Sequence, residues 1–302
     1  MKILITGADG QLGKSLIEQA PQSIDIIATN KKTLNLACPK DCYDYIISNK
    51  PDWIINCAAY TNVDKAEEEK ELTYKVNKES VFHFANALKV VGGRILQIST
   101  DYVFDGKNNS PYNPSSKKNP LNIYGLSKSL AEDTLVKLLF KTNQAIVLRT
   151  SWLIGPYGNN FLKKMLYYHQ IKDRLDIVYD QISSPTSTIS LAEVCWEIIN
   201  FYSNKSKIIS DPILHWSNSG IASWYDLSFF IGEIGFEAGL INQKAEINPI
   251  KSDQYITKAA RPHFSVLDNS ITKSLLNLSV SHWQREIKLI CDKIIKENIE
   301  IK

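Results

Sequence analysis

Residues 2–13 read KILITGADGQLG: a β-rich apolar run, Lys2–Thr6, followed by Gly7, Gly10 and Gly13 at three-residue spacing. The amphipathic stretch 11–19 takes over directly, with Leu12, Leu16 and Ile17 at helical spacing and no proline. Strand, tight glycine turn and helix in that order form the first half of a βαβ unit. Glycines permit the sharp turn and let the backbone approach a pyrophosphate, whose charge then rests on the free N–H groups at the helix N-terminus. A turn that needs only positive φ would use glycines as well. The strand before, the helix after and the further βαβ units beyond favour nucleotide binding.

Those units follow outward from this segment. Runs at 24–29, 53–57, 94–99 and 145–148 are short, rich in Ile, Val and Leu, and bounded by Gly, Pro, Asp or Asn. Between them, 40–48, 70–90 and 124–140 carry apolar residues three and four apart. Strands alternating with helices predict an α/β fold with a doubly wound parallel sheet covered on both faces. After about Gly155, Pro156, Gly158, Pro185 and Pro212 punctuate a less regular mixture. The expected organisation is a nucleotide-binding lobe over 1–155 and a smaller α/β substrate lobe over 156–302. A helix at 193–202, within the stretch 187–204, rejoins the first lobe. A chain of 302 residues has room for both.

Composition narrows the function classes. Thirty-five Lys and Arg against 32 Asp and Glu leave +3, without a basic block able to track a phosphate backbone, so nucleic acid is not an expected partner. Apolar residues at 44% and charged residues at 22% are globular values. No run of 18 apolar residues marks a membrane span, and only four residues separate Lys2 from Gly7, too few for a signal-peptide core, so cytoplasmic location is expected. Five cysteines without a CxxC pair and five histidines without HExxH spacing support neither a disulfide framework nor a metal site.

Two further patterns bear on chemistry. An acid at the end of the second strand normally accepts the adenosine ribose hydroxyls; here Asn30 stands there, followed by Lys31 and Lys32. Asparagine beside two ammonium groups removes the repulsion toward a 2′-phosphate, which favours NADPH, or tolerance of both NADPH and NADH. Tyr124 and Lys128, four apart, share one helix face, where the ammonium would favour phenolate and draw the tyrosine pKa toward working pH. Thr100 closes the fourth strand, at the carboxyl edge where an open sheet presents its crevice. Together Tyr124, Lys128 and Thr100 predict an acid site for a carbonyl.

GxxGxxG, a strand-end Ser-Thr and YxxxK on one chain resemble the extended short-chain dehydrogenase/reductase superfamily. CAAYTNVDKAE (57–67), STDYVFDG (99–106), NIYGLSK (122–128) and RTSW (149–152) resemble the narrower dTDP-4-dehydrorhamnose reductase family. So do GNNF (158–161), Asp180-Gln181, Pro185-Thr186, Trp224-Tyr225-Asp226 and Ala260-Arg261-Pro262, and the likeness runs over nearly the whole chain. The resemblance implies a Rossmann-like lobe in which Gly10, Gln11 and Leu12 contact the cofactor. Asn30 and the pair Asn35-Leu36 would flank its adenosine, beside the Lys31 ammonium already read as cofactor-binding, and Ala58, Ala59 and Tyr60 would line its path. Thr100, Asp101 and Trp152 would touch the sugar nucleotide, and Arg261 offers a guanidinium fork suited to its diphosphate. It further implies NAD(P)H-dependent reduction of the C4 keto group of dTDP-4-dehydro-L-rhamnose, the last step toward dTDP-L-rhamnose for cell-surface polysaccharide, by an enzyme able to form a homodimer. Two departures, Asn30 for an acid and Tyr60 for a histidine found in some relatives, touch cofactor choice. The alternatives are a sugar-nucleotide epimerase or dehydratase, which consumes no net cofactor, and a non-catalytic subunit, which would have no need of Tyr124 and Lys128.

Overall fold

The computed structural model describes residues 1–203, 208 and 210–301. Its centre is a six-stranded sheet of β1 (Lys2–Thr6), β2 (Asp25–Thr29), β3 (Trp53–Asn56), β4 (Arg94–Thr100), β5 (Ala145–Thr150) and a three-residue strand Ile213–His215. All pair in parallel, in the spatial order β2, β1, β3, β4, β5 and Ile213–His215. The order reverses between β1 and β3, and in open α/β sheets the crevice outside the carboxyl ends at such a point is where ligands bind.

Alternation along each strand sends neighbouring side chains to opposite faces. Leu4, Ile54, Ile95 and Val147 pack with Ile46 of Pro39–Asn49, Phe84 and Leu88 of Ser80–Val91, and Leu135 and Leu139 of Ile123–Leu139. Ile3, Ile5, Ile55, Leu96, Ile146 and Leu148 pack on the other face with Leu16 of Gln11–Glu18 and with Leu191, Cys195, Trp196 and Ile199 of Thr188–Ser203. Each large aliphatic so removed from water contributes about 1.5–3 kcal/mol before conformational entropy is set against it. Burial on both faces is why these strands read as near-continuous apolar runs.

Helix Thr188–Ser203 lies against the first helix, where Trp196 Nε1 donates to Leu16 O at 3.1 Å and Ser15 Oγ donates to Thr188 Oγ1 at 2.9 Å. Beyond the cleft, helices Phe161–Ile171, Trp224–Glu237 and Trp283–Lys296 share a separate core of Leu162, Leu166, Leu227, Ile231, Ile287 and Ile290, beside a parallel pair Arg174–Val178 and Glu246–Ile250.

Two features differ from the sequence expectation. The sixth strand lacks the length to register as a strand signal, yet the O of the preceding Pro212 accepts Val147 N at 2.7 Å and seats it on β5. The helix expected over 70–90 is broken into Lys70–Tyr74, a π-turn at Lys75–Glu79 and Ser80–Val91. The π-turn brings the buried Asn77 side chain to the loop after β3, a placement with consequences for the site.

Candidate active site

The loops after β1, β3, β4 and β5 converge on a cleft of about 830 Å³. Gly7 has φ +65°, and a Cβ there would lie 3.0 Å from Ala58 Cα, so the loops after β1 and β3 meet at this residue. A Cβ on Gly13 would lie 2.3 Å from Gly7 O, so the first helix can start this close to its strand only with glycine. Every residue expected to hold cofactor or substrate lines this cleft, with one exception. Gly7, Gly10, Gln11, Leu12, Gly13, Asn30, Lys31, Asn35, Leu36, Ala58, Ala59 and Tyr60 form one stretch of wall, and Thr100, Asp101, Tyr124, Lys128 and Trp152 form the deeper end.

Arg261 is the exception. Its Nη2 donates to Asp64 Oδ2 at 2.6 Å and its Nη1 to Ala259 O at 3.0 Å, and it is not among the lining residues. The fork expected for a diphosphate is engaged with Asp64, whose carboxyl that hydrogen bond holds below its usual range. A carboxylate close in space though 197 positions away in sequence leaves no local signal.

Thr100, Asp101 and Lys128 at the deep end are buried. Tyr124 lies in the first turn of helix Ile123–Leu139, whose N-cap Asn122 accepts Gly125 N at 2.8 Å and whose Ile123 N donates to Glu67 Oε1 at 2.8 Å. Thr100 Oγ1 donates to Asp101 Oδ1 at 3.1 Å, and Ser265 Oγ donates to Asp101 Oδ2 at 2.5 Å. Burial pushes the Tyr124 phenol up to about 12, with a hydrogen bond from Thr100 opposing. Here the structure corrects the expectation of a phenolate favoured by Lys128. The Lys128 ammonium turns to the sheet and donates to Ile98 O at 2.6 Å, and burial holds the Tyr124 phenol above its ordinary value. Burial lowers Lys128 to about 8, against the pull of Glu132 and Cys57. Burial also raises Asp101 to about 6, opposed by its hydroxyl partners.

Several supporting groups lie outside the residues expected from the sequence. Glu132 follows Lys128 by one turn and is fully buried; it accepts Arg149 Nε at 2.9 Å, Arg149 Nη2 at 2.7 Å and Ser99 Oγ at 2.6 Å. Burial alone would raise this carboxyl, and Arg149, Lys118 and Ser99 together lower it instead. A second polar chain runs under the cleft: Thr6 Oγ1 donates to Asn56 Oδ1 at 2.5 Å and Asn56 Nδ2 to Gln97 Oε1 at 2.7 Å. Gln97 Nε2 then donates to Ile98 O at 2.8 Å, the carbonyl that also receives Lys128. Asn77 clamps the cleft wall, accepting Tyr60 N at 2.8 Å and donating to Tyr60 O at 3.1 Å and Ser127 Oγ at 2.9 Å. Trp152 sits at φ +42° with its indole stacked on Trp224, centroids 3.5 Å apart, a strained backbone in the lining of the cleft.

The wall fits a dinucleotide. The glycine cradle excludes side chains, the first turn of helix Gln11–Glu18 holds no acid, and the buried Gln11 Oε1 and Thr150 Oγ1, on two residues that line the cleft, have no hydrogen-bond partners. Among the described residues no group of three or more His, Cys, Asp or Glu is placed to hold a metal ion, and no helix is long and apolar enough to cross a membrane.

The model of the RmlD substrate binding domain matches residues 1–295. The chain belongs to that family. It is 36% identical to a dTDP-4-dehydrorhamnose reductase of Aggregatibacter actinomycetemcomitans over 291 residues, 96% of this chain and 98% of that protein. It is 36% identical to the spore coat polysaccharide biosynthesis protein SpsK of Bacillus subtilis (strain 168), over 95% of each chain. The solved dTDP-4-dehydrorhamnose reductase of Bacillus anthracis str. Ames, in complex with NADP, superposes with a TM-score of 0.86 at 33% identity, covering 97% of this chain and 99% of that one. A UDP-glucose 4-epimerase of Thermus thermophilus, 14% identical with a TM-score of 0.77 over 97% of this chain and 98% of that one, shares the fold. Within the RmlD family the Rossmann-like reading of the sheet and the oxidoreductase class hold for this chain.

Proposed function

We propose that this chain reduces the C4 keto group of dTDP-4-dehydro-L-rhamnose to dTDP-L-rhamnose with NADPH or NADH. The observation that carries the reading is the deep end of the cleft: a protonated Tyr124 hydroxyl beside the Thr100 hydroxyl, at the carboxyl edge of β4, facing the continuous wall built on the glycine loop. Relatives bearing the reductase name, at 36% identity over nearly the full length, support the substrate assignment.

Gly10, Gln11 and Leu12 would hold the pyrophosphate, Asn35 and Leu36 would flank the adenosine, and Lys128 would hold the nicotinamide ribose. A bound reduced nicotinamide supplies the hydride. Tyr124 gives its phenolic proton to the oxygen that becomes the C4 hydroxyl, and burial keeps that proton in place until the alkoxide develops. Thr100 hydrogen-bonds the same oxygen, so negative charge meets a donor where it appears. Lys128, still an ammonium below about pH 8, places positive charge on the helix that bears the spent tyrosinate. Asp101 and Trp152 would contact the sugar nucleotide; Arg261, paired with Asp64, would reach it only by giving up that pair.

Tyr124→Phe tests the roles directly. Turnover falls by about 10²–10⁴-fold while the dissociation constant for NADH, read by nicotinamide fluorescence, stays close to wild type. A variant turning over at the wild-type rate would remove Tyr124 as the acid.

A further inference from the structure

We propose that Asp9, in the glycine loop, sets the discrimination between NADH and NADPH by supplying the ribose-binding carboxylate that β2 lacks. The inference rests on the nicotinamide-nucleotide reading given above. Asn30, at the tip of β2, occupies the position from which an acid normally receives the adenosine ribose hydroxyls. Its amide is already engaged. Oδ1 accepts Lys32 N at 2.9 Å and Thr33 N at 3.2 Å, and Nδ2 donates to Asp9 Oδ2 at 2.7 Å. An amide engaged in this way is poorly placed to serve a 2′-phosphate.

The same hydrogen bond brings a carboxylate to the tip of β2, where the local sequence has none. Ala8 N donates to Thr29 O at 2.8 Å and ties the glycine loop to the end of β2, and Asn30 then fixes the rotamer of the next residue, Asp9. Asp9 and Asn30 both line the cleft. Asn30 takes only Oδ2; Asp9 Oδ1 has no hydrogen-bond partner among the described residues. A ribose 2′-hydroxyl can donate to that oxygen, whereas a 2′-phosphate brings negative charge against it.

The two lysines do not restore the balance. Lys31 lines the cleft, but Lys32 lines a separate shallow groove that also contains Asp41 and Asp44. One lysine therefore shares the cleft lining with the Asp9 carboxylate, where the sequence alone offered two ammonium groups beside Asn30. Asn30 is in this account a positioning residue that acts through Asp9.

The test measures binding without sugar substrate, as dissociation constants of NADH and NADPH from nicotinamide fluorescence. The wild type binds NADH at least as tightly as NADPH. Asp9→Asn shifts the ratio toward NADPH by about tenfold, chiefly by tightening NADPH, and Asp9→Ser, which keeps a small polar group, shifts it the same way. Lys31→Ala loosens NADPH and leaves NADH near wild type. If both nucleotides bind and neither Asp9 variant moves the ratio, Asp9 does not discriminate and the inference falls alone. If the folded wild type binds neither nucleotide, the cofactor reading fails and takes this inference with it.

Discussion

The two ends of the cleft are built on different principles. The deep end stands on regular elements: Tyr124, Lys128 and Glu132 come from one helix, Thr100 and Ser99 from β4, Arg149 from β5, and all but Tyr124 are fully or nearly fully buried. The rim stands on loops, where one hydrogen bond joins the exposed Asp9 to the half-buried Asn30, beside the exposed Lys31. Burial raises the stakes at the deep end, where an unpaired charge or an unsatisfied amide is costly. At the rim, solvent moderates each interaction, so changes there adjust preference and leave folding intact.

This contrast can be broken by substitutions at each end. Glu132→Gln should cost most, because it leaves the Arg149 guanidinium, 2% exposed, without its carboxylate. A loss of about 3–5 kcal/mol in urea unfolding is expected. A loss below about 1 kcal/mol would mean that Arg149 finds another partner and that the deep end is less over-determined than its geometry indicates. Asn77→Ala should cost about 1–3 kcal/mol by leaving the Tyr60 backbone groups unpaired, and should raise KM for the nicotinamide nucleotide more than it lowers kcat. An unchanged KM would confine Asn77 to folding.

The pH dependence sharpens the comparison further. Burial favours the neutral amine of Lys128, so its ammonium is present below about pH 8 and is lost as pH rises through that value. The rate kcat/KM should decline above about pH 8 by about tenfold per unit. Lys128→Arg, which stays charged, should lower the rate but abolish the decline. A wild-type profile flat to about pH 10 would contradict an ammonium role for Lys128. At the rim, Asn30→Ala should change stability by less than about 1 kcal/mol and show itself mainly in the NADH to NADPH ratio.

The same contrast explains what the sequence reveals. β1, β3 and β4 are legible because two-sided burial writes apolar runs into them, and the Tyr124–Lys128 pair because helical spacing is local. The direction of the Lys128 side chain is not local. It depends on Ile98 O and on a polar chain drawn from β1, β3 and β4, so the expected lowering of the Tyr124 phenol gives way to a rise. Glu132 does stand at the right spacing from Tyr124 and Lys128 to suggest a buried third member, but its partner Arg149 lies on another strand. Arg261 and Asp9 show the limit most clearly, since each is decided by a partner brought close only by the fold, Asp64 for one and Asn30 for the other.

The central claim is that this cleft carries out a net reduction. The most direct test is the absorbance of NADH or NADPH during reaction of the purified protein with dTDP-4-dehydro-L-rhamnose, set against the amount of dTDP-L-rhamnose formed. The account predicts one nicotinamide oxidised for each product molecule. Product formed without net oxidation, or no oxidation with either nucleotide although both bind, would contradict it.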